Sequence, residues 1–300
     1  MQRSLIGKCT RNTHYRLIAF CIASITLVTA CTTTTRPGVV GVNRQQLMMA
    51  SQSEVERLSA ISFNEQNKKA QDKKILITSG PQYDRLIGIA NHLIPQTAYF
   101  RDDTQKWNWQ LSLINAPILN ATCAPGGKIT FYTGIIDQLN LNDDEIAAIM
   151  GHEIAHALRE HGRERLSQAM AQSAITNIAL AAAGGYGAQI NAANQVAQYV
   201  LVLPNSRQHE SEADAIGIEL AARAGYNPRA AISVWQKMMK ATKGKNPPEF
   251  LSTHPSGETR IEQLSALMPA VEPLYRDAPK ASGAAPTTKS MSIDRHTVAK

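Results

Sequence analysis

Aromatic residues make up only 5% of the 300-residue chain. Strands favour such side chains, so their scarcity argues against an all-β sandwich and toward an alanine-rich helical protein. Cysteine is scarce too: Cys9, Cys21, Cys31 and Cys123 are the whole supply. A dense disulfide framework is thereby excluded. A long apolar run is also missing. Residues 17–30 form a run of fourteen, whereas a spanning helix needs roughly 20 residues. The alanine-rich stretch 170–203 is interrupted by Asn177, Gln189, Asn191, Asn194 and Gln195. What the chain does have is 43% hydrophobic residues, eight histidines and a net charge of +7. That is enough apolar material for a packed core, in one large domain or two small ones.

The charge and the cysteines are unevenly placed. Residues 1–16 hold Arg3, Lys8, Arg11 and Arg16 and no acid, and the apolar run follows them. This is the n-region and h-region pattern of a secretory signal. The run ends Val28-Thr29-Ala30-Cys31, which resembles a bacterial lipobox. The expectation is cleavage before Cys31, with lipid on its thiol and new amino terminus; more than one acyl chain anchors stably. Thr32 in place of Asp points to the outer membrane rather than the inner. Loss of residues 1–30 leaves 27 basic residues against 24 acidic, weak ground for nucleic-acid binding, and none is expected. Cys9 and Cys21 go with the signal and Cys31 is used, so Cys123 has no intramolecular disulfide partner and reads as a small buried residue.

Beyond the signal, residues 31–52 are rich in Thr with Pro and Gly and read as a lipidated tether, followed by a domain over 53–276. Helical periodicity covers 53–73 and about 83–93. Apolar and polar residues alternate from Trp107 to Ile114, and Lys128 to Thr133 forms a second strand after the turn Pro125-Gly126-Gly127. Asn142 with Glu145 three places on reads as a capped helix start, with Asp143 and Asp144 favourable at the dipole's positive end. This helix is expected to run to about Leu166. Two helical arms around Gly184-Gly185 are expected over 170–203, then helices over about 206–223, up to Ala241, and Glu258 to Leu267. Residues 277–300 lack periodicity and read as a disordered tail.

The helix after Asn142 contains His152-Glu153-Ile154-Ala155-His156. Residues four apart lie on one face of a helix, so both imidazoles can reach one zinc ion, with Glu153 close by as general base. Surface histidines are the competing reading, but Ile154, Ala155, Ala157 and Leu158 make the helix apolar, and buried unpaired histidines are costly. Zinc needs a third protein ligand. The metzincin extension would place Gly and His at positions that hold Arg159 and Gly162. His161 lies about 140° around from His156 and is expected to face solvent. Glu210 and Asp214 share a face of a later helix. They read either as ligand and outer partner of a zinc site, with Asp214 accepting a ring N–H, or as a solvated acidic face with Arg207.

Four blocks in order, Asn120–Lys128 with Phe131-Tyr132-Thr133-Gly134, His152–His156, Ser206–Asp214, and Thr253-His254-Pro255 with Arg260-Ile261, resemble the zinc metallopeptidase family of the CAAX prenyl endopeptidases. The resemblance covers roughly residues 45–270 and is nearest to the soluble periplasmic lipoprotein branch of LoiP and Oma type. It implies one zinc ion held by His152, His156 and Glu210, with Glu153 as base. It implies an α+β, predominantly α, gluzincin fold with a small sheet beside the metal helix. The strand Lys128, Ile129, Thr130, Phe131, Tyr132 would then be an edge strand that pairs with extended substrate, with Cys123 at the cleft border.

The function expected is peptide-bond hydrolysis in the bacterial envelope, on unfolded or misassembled periplasmic and outer-membrane proteins. An oxyanion donor is required, and Arg207, His209 and His254 are the candidates. His254 has a second role open to it: a loop braced by Pro247, Pro248 and Pro255 would let it occupy the open zinc position and keep the enzyme latent. The rival class is a chaperone-like periplasmic binding protein with little proteolysis.

Overall fold

The computed structural model describes residues 31–182, 203–242, 249–254 and 258–281. The expected signal, residues 183–202 of the alanine-rich stretch, the three prolines beside His254, and residues 282–300 lie outside them.

Strand β1 (Cys31–Thr32) pairs antiparallel with β2 (Gln46–Leu47). Helix α1 (Gln52–Asp72), strand β3 (Leu76–Ile77) and helix α2 (Pro81–Leu93) follow. After two short 3-10 turns come β4 (Gln110–Ile114), β5 (Ala121–Ala124) and β6 (Lys128–Tyr132). The remaining elements are helical: α3 (Thr133–Gln138), α4 (Asp143–Leu158), α5 (His161–Ala182), α6 (Arg207–Arg223), α7 (Ala230–Thr242), α8 (Glu249–Thr253) and α9 (Glu258–Asp277). This is the α+β, mainly helical arrangement expected. Among the described residues no helix is long and apolar enough to cross a membrane.

The four-stranded sheet runs β3-β4-β6-β5, with β4 and β6 parallel and the outer pairs antiparallel. Strand β6 is therefore interior, and the expectation that Lys128–Tyr132 forms an edge is corrected. The Pro125-Gly126-Gly127 turn folds β5 back along the outer side of β6. Gly126 and Gly127 both have positive φ, and a Cβ on Gly127 would come within 2.6 Å of the Trp109 ring. The edge strands of this sheet are β3 and β5.

Helix α4 is the centre of the domain. Its start is a complete capping box: the Glu145 N–H donates to Asn142 Oδ1 and the Asn142 N–H to Glu145 Oε2, both at 2.9 Å. From Glu145 to Leu158 every residue is buried, between the sheet and helices α2, α6 and α7. The helix ends at Leu158, not near Leu166. Glu160 takes a left-handed conformation, φ 50°, which non-glycine residues rarely adopt. Its carboxylate is held there by Arg101 at 2.5 Å and Arg163 at 2.6 Å. The reversal starts α5 at His161 and turns that side chain inward.

Helices α4 and α6 cross at Gly151 and Gly217. A Cβ on Gly151 would lie 2.8 Å from the Gly217 carbonyl oxygen, and one on Gly217 would lie 2.8 Å from the His152 nitrogen. Helix α9 continues through Pro269 and Pro273, ten residues past the expected end near Leu267. Burial of Leu264, Met268 and Val271 holds it in place. Beyond it, Ala281 reaches the Gly225 backbone at 3.5 Å, so the first residues of the expected tail pack on the domain.

The expected tether over 31–52 is also corrected, because the segment is laid on the domain. Thr35, Gln46, Met48 and Ala50 are buried. The Val39 and Val40 N–H groups donate to Glu219 at 2.9 and 3.2 Å. Polar composition reads as a loop from sequence, but here the polar side chains find buried partners.

The close crossing yields a paired prediction. Gly217→Ala should destabilise the protein by about 1–3 kcal/mol through overpacking. Gly88→Ala, in a helix with open space around the glycine, should stabilise it by up to about 1 kcal/mol. Urea denaturation of both variants decides the matter; equal effects would refute the crossing as a constraint.

Candidate metal centre

One turn of α4 and the first turns of α6 bring the expected residues together. His152, His156, Glu210 and His254 offer ligand atoms that all lie within 4.8 Å of one another, and all four side chains are buried. The Nε2 atoms of His152 and His156 are 3.1 Å apart. Glu210 Oε2 lies 3.5 Å from His152 Nε2, and its Oε1 lies 3.3 Å from His156 Nε2. His254 Nδ1 lies 3.2 Å from His152 Nε2 and 3.0 Å from Glu210 Oε1. Tetrahedral bonds of about 2.0–2.1 Å to nitrogen and oxygen give donor–donor edges of roughly 3.3 Å. The donors fit a single zinc ion.

The outer hydrogen bonds agree with that fit. His152 Nδ1 is 3.0 Å from Asp214 Oδ1. A carboxylate accepts only, so Nδ1 carries the proton and Nε2 faces the donors. Asp214 is held in turn by Arg260, at 2.7 Å through both Nε and Nη2, while Arg260 Nη1 reaches Glu210 Oε2 at 2.6 Å. The guanidinium stacks over Trp235, 3.8 Å from the ring centre. Burial alone would raise both carboxyl groups. For Asp214 the neighbouring Arg260 and His152 outweigh it; for Glu210 the histidines do, and both stay below the usual carboxylate range. Burial lowers His152, but Asp214 and Glu210 raise it further, to about 9. Burial keeps His156 well below the ordinary imidazole value. Metal binding displaces protons from such groups.

Glu153 lines an open cleft beside the donors. Burial raises its pKa. Its Oε1 has no hydrogen-bond partner and lies 3.4 Å from His254 Nε2. Thr122, Cys123 and Pro125 form the opposite wall, so β5 borders the cleft where β6 was expected to. Cys123 is both a wall residue and nearly buried, and burial pushes its thiol pKa up. His254 follows α8, which is tied by the Phe250 N–H to the Leu119 carbonyl at 3.1 Å and by the Asn205 N–H to the Thr253 carbonyl at 2.9 Å.

The other expected donors fall elsewhere. Arg207 is exposed at the start of α6. His209 is buried, stacked on His161 at 4.4 Å and paired with Glu164 at 3.2 Å. Neither is among the cleft-lining residues. His161, expected to face solvent, is fully buried, with Nδ1 2.8 Å from His156 Nδ1. Arg260 was visible only as part of a motif, and its clamp on two carboxylates had no local signal.

The family model described as Peptidase family M48 matches residues 83–268. The chain belongs to peptidase family M48. This is a zinc metallopeptidase family, in keeping with the donor set. The mitochondrial metalloendopeptidase OMA1 of Saccharomyces cerevisiae is 36% identical over 177 residues, 57% of this chain and 50% of that protein. The human OMA1 is 32% identical over 172 residues, 54% and 33% of the two chains. The β-barrel assembly-enhancing protease of Escherichia coli is 30% identical over 159 residues, 50% and 32%. The chain thus matches about half or less of the length of these relatives.

In this M48 site Arg260→Met leaves Glu210 and Asp214 buried without their cation, a loss of about 3–5 kcal/mol. The depressed carboxyls contribute stability above their unfolded pKa and lose it as pH falls through the folded values. The Tm of the metal-free wild type should therefore drop as pH falls through and below the ordinary carboxylate range. Arg260→Met should start lower, lose less over that window, and recover part of its Tm with added zinc. Parallel pH profiles for the two proteins would contradict the clamp.

Proposed function

We propose that this M48 chain is a zinc-dependent endopeptidase of the bacterial cell envelope, degrading misfolded or misassembled periplasmic and outer-membrane proteins. The observation that carries proteolysis is Glu153: a buried carboxylate oxygen without a hydrogen-bond partner, beside three converging donors, in a cleft walled by an edge strand. The names of the OMA1 relatives and of the Escherichia coli protease support a protease. The lipobox-like Val28-Thr29-Ala30-Cys31 supports an envelope lipoprotein of the LoiP-type branch, anchored to the outer membrane through Cys31.

Zinc, when held by His152, His156 and Glu210, supplies a Lewis acid that polarises the scissile carbonyl and acidifies the attacking water. The chain's own groups do the rest. The β5 edge pairs with an extended substrate backbone, which favours unfolded segments over folded ones. Glu153 takes the proton of the attacking water and passes it to the leaving amine. His254 fills the fourth donor position. Catalytic zinc sites keep that position open, so His254 in place is a latch and must withdraw before substrate is cut.

Glu153→Gln tests the reading. It should bind one zinc per chain and lower kcat on an unfolded protein by at least about 10²-fold. Full cleavage by this variant would refute the assignment, and retained envelope function without cleavage would favour a chaperone-like role. His254→Ala should retain zinc and raise kcat on the same substrate; unchanged kcat and zinc content would dismiss the latch.

A further inference from the structure

The two helical histidines of the metal centre are held by different means. His152 leans directly on Asp214. His156 leans on His161, and a continuous set of buried contacts leads from there to the segment 33–50. His161 Nε2 lies 3.1 Å from Glu212 Oε2. Glu212 also receives Arg159 Nε at 3.0 Å and Arg44 Nε at 2.5 Å. Arg44 continues to Glu164 at 2.5 and 2.8 Å. Gln46 donates at 2.7 Å to the same Glu164 and to the Arg159 carbonyl.

We propose that Glu212, His161 and Arg44 are positioning residues that set the tautomer and orientation of His156, so that the segment 33–50 is part of the metal centre's support. The reasoning is one of proton placement. Glu212 Oε2 accepts from Arg159 Nε at 3.0 Å, and the 3.1 Å contact beside it places the His161 proton on Nε2. The neutral ring then has a bare Nδ1, which can only accept. At 2.8 Å its donor is the Nδ1–H of His156. That leaves the His156 Nε2 lone pair facing His152 and Glu210, which is what metal ligation requires. Reversal of any link reverses the outcome: a proton on His156 Nε2 would occupy the ligand atom. His161 also stacks on His209, with ring centres 4.4 Å apart. Arg44 is the outermost link, its side chain 22% exposed, and it joins an acid of α5 to an acid of α6 across the segment.

The inference rests on the zinc-peptidase reading, so the experiment measures zinc binding before cleavage. The dissociation constant is obtained by competition with a chelator for wild type, His161→Phe, Arg44→Ala and Arg44→Lys, each checked for fold by circular dichroism. The visible spectrum of each cobalt-substituted protein reports ligand geometry independently. His161→Phe keeps the ring volume and removes both nitrogens; it should bind zinc about 10–100-fold more weakly and change the cobalt spectrum. Arg44→Ala, at a partly exposed position, should weaken binding by a smaller factor, with Arg44→Lys recovering part of it. A folded His161→Phe with wild-type affinity and spectrum would overturn the chain of support. Should His161→Phe fail to fold, Arg44→Ala with wild-type affinity and spectrum would overturn it instead. Wild type that binds no zinc would overturn the peptidase reading itself, a result distinct from either.

Discussion

At Gly151 and Gly217 two buried helices meet with no side chain between their backbones, and the metal centre follows from that approach. An ordinary helix pair is 8–10 Å apart, with side chains filling the gap. Here His152 follows the contact glycine on α4, and Asp214 precedes the partner glycine on α6 by three residues. Closeness lets His152 Nδ1 reach Asp214 at 3.0 Å while Glu210, one turn earlier, reaches round to the Nε2 side. Ala147, Ala148, Ala155, Ala213 and Ala221, three or four residues from the contact glycines, are buried as well.

Bringing Glu210, Asp214, Glu212 and Glu164 so near one another inside an apolar domain raises the opposite problem. Isolated buried carboxylates are costly, and neutral pairs with complete hydrogen bonding are tolerated. The protein divides the burden. Arg260 neutralises the α6 acids on the His152 side. Arg44 and Arg159 neutralise the acids on the His156 side. Glu153 is the exception, with no arginine beside it and one oxygen without a hydrogen bond. Buried polar atoms are generally hydrogen-bonded, so a carboxylate oxygen without such a bond next to convergent donors stands out.

The sequence disclosed the parts whose physics is local. The HExxH spacing, the Asn142–Glu145 capping box and the alternation over 110–114 and 128–132 each depend on neighbours within a turn or a strand. What it hid depends on partners far along the chain. Whether Lys128–Tyr132 is interior or edge is decided by where residues 121–124 pair, and both orders suit the same alternation. His161 was assigned a direction by extending one straight helix. The left-handed Glu160, with no glycine to announce it, broke that helix and turned the ring inward. The segment 31–52 has the composition of a tether because much of what holds it is polar: Arg44, Gln46 and the Val39 and Val40 N–H groups, whose partners Glu164, Glu212 and Glu219 lie more than a hundred residues away. Helix α9 passes two prolines because Val271, beyond the first of them, is buried. Tertiary burial outweighs the local signal there.

These distant partners give the domain one cooperative polar network in place of separate surface pairs. The segment 33–50 meets α5 through Glu164, α6 through Glu212 and Glu219, and the end of α4 through the Arg159 carbonyl. Each contact taken alone is a modest gain, but a network in a low-dielectric interior is strong only when every member is satisfied. Removing the segment would leave Glu164 and Glu212 without Arg44, while Arg159 would still face Glu212 alone. The charge balance around His161 would change although no metal ligand had moved. Residues next to Cys31 therefore share the energetics of the metal centre some distance inside the domain.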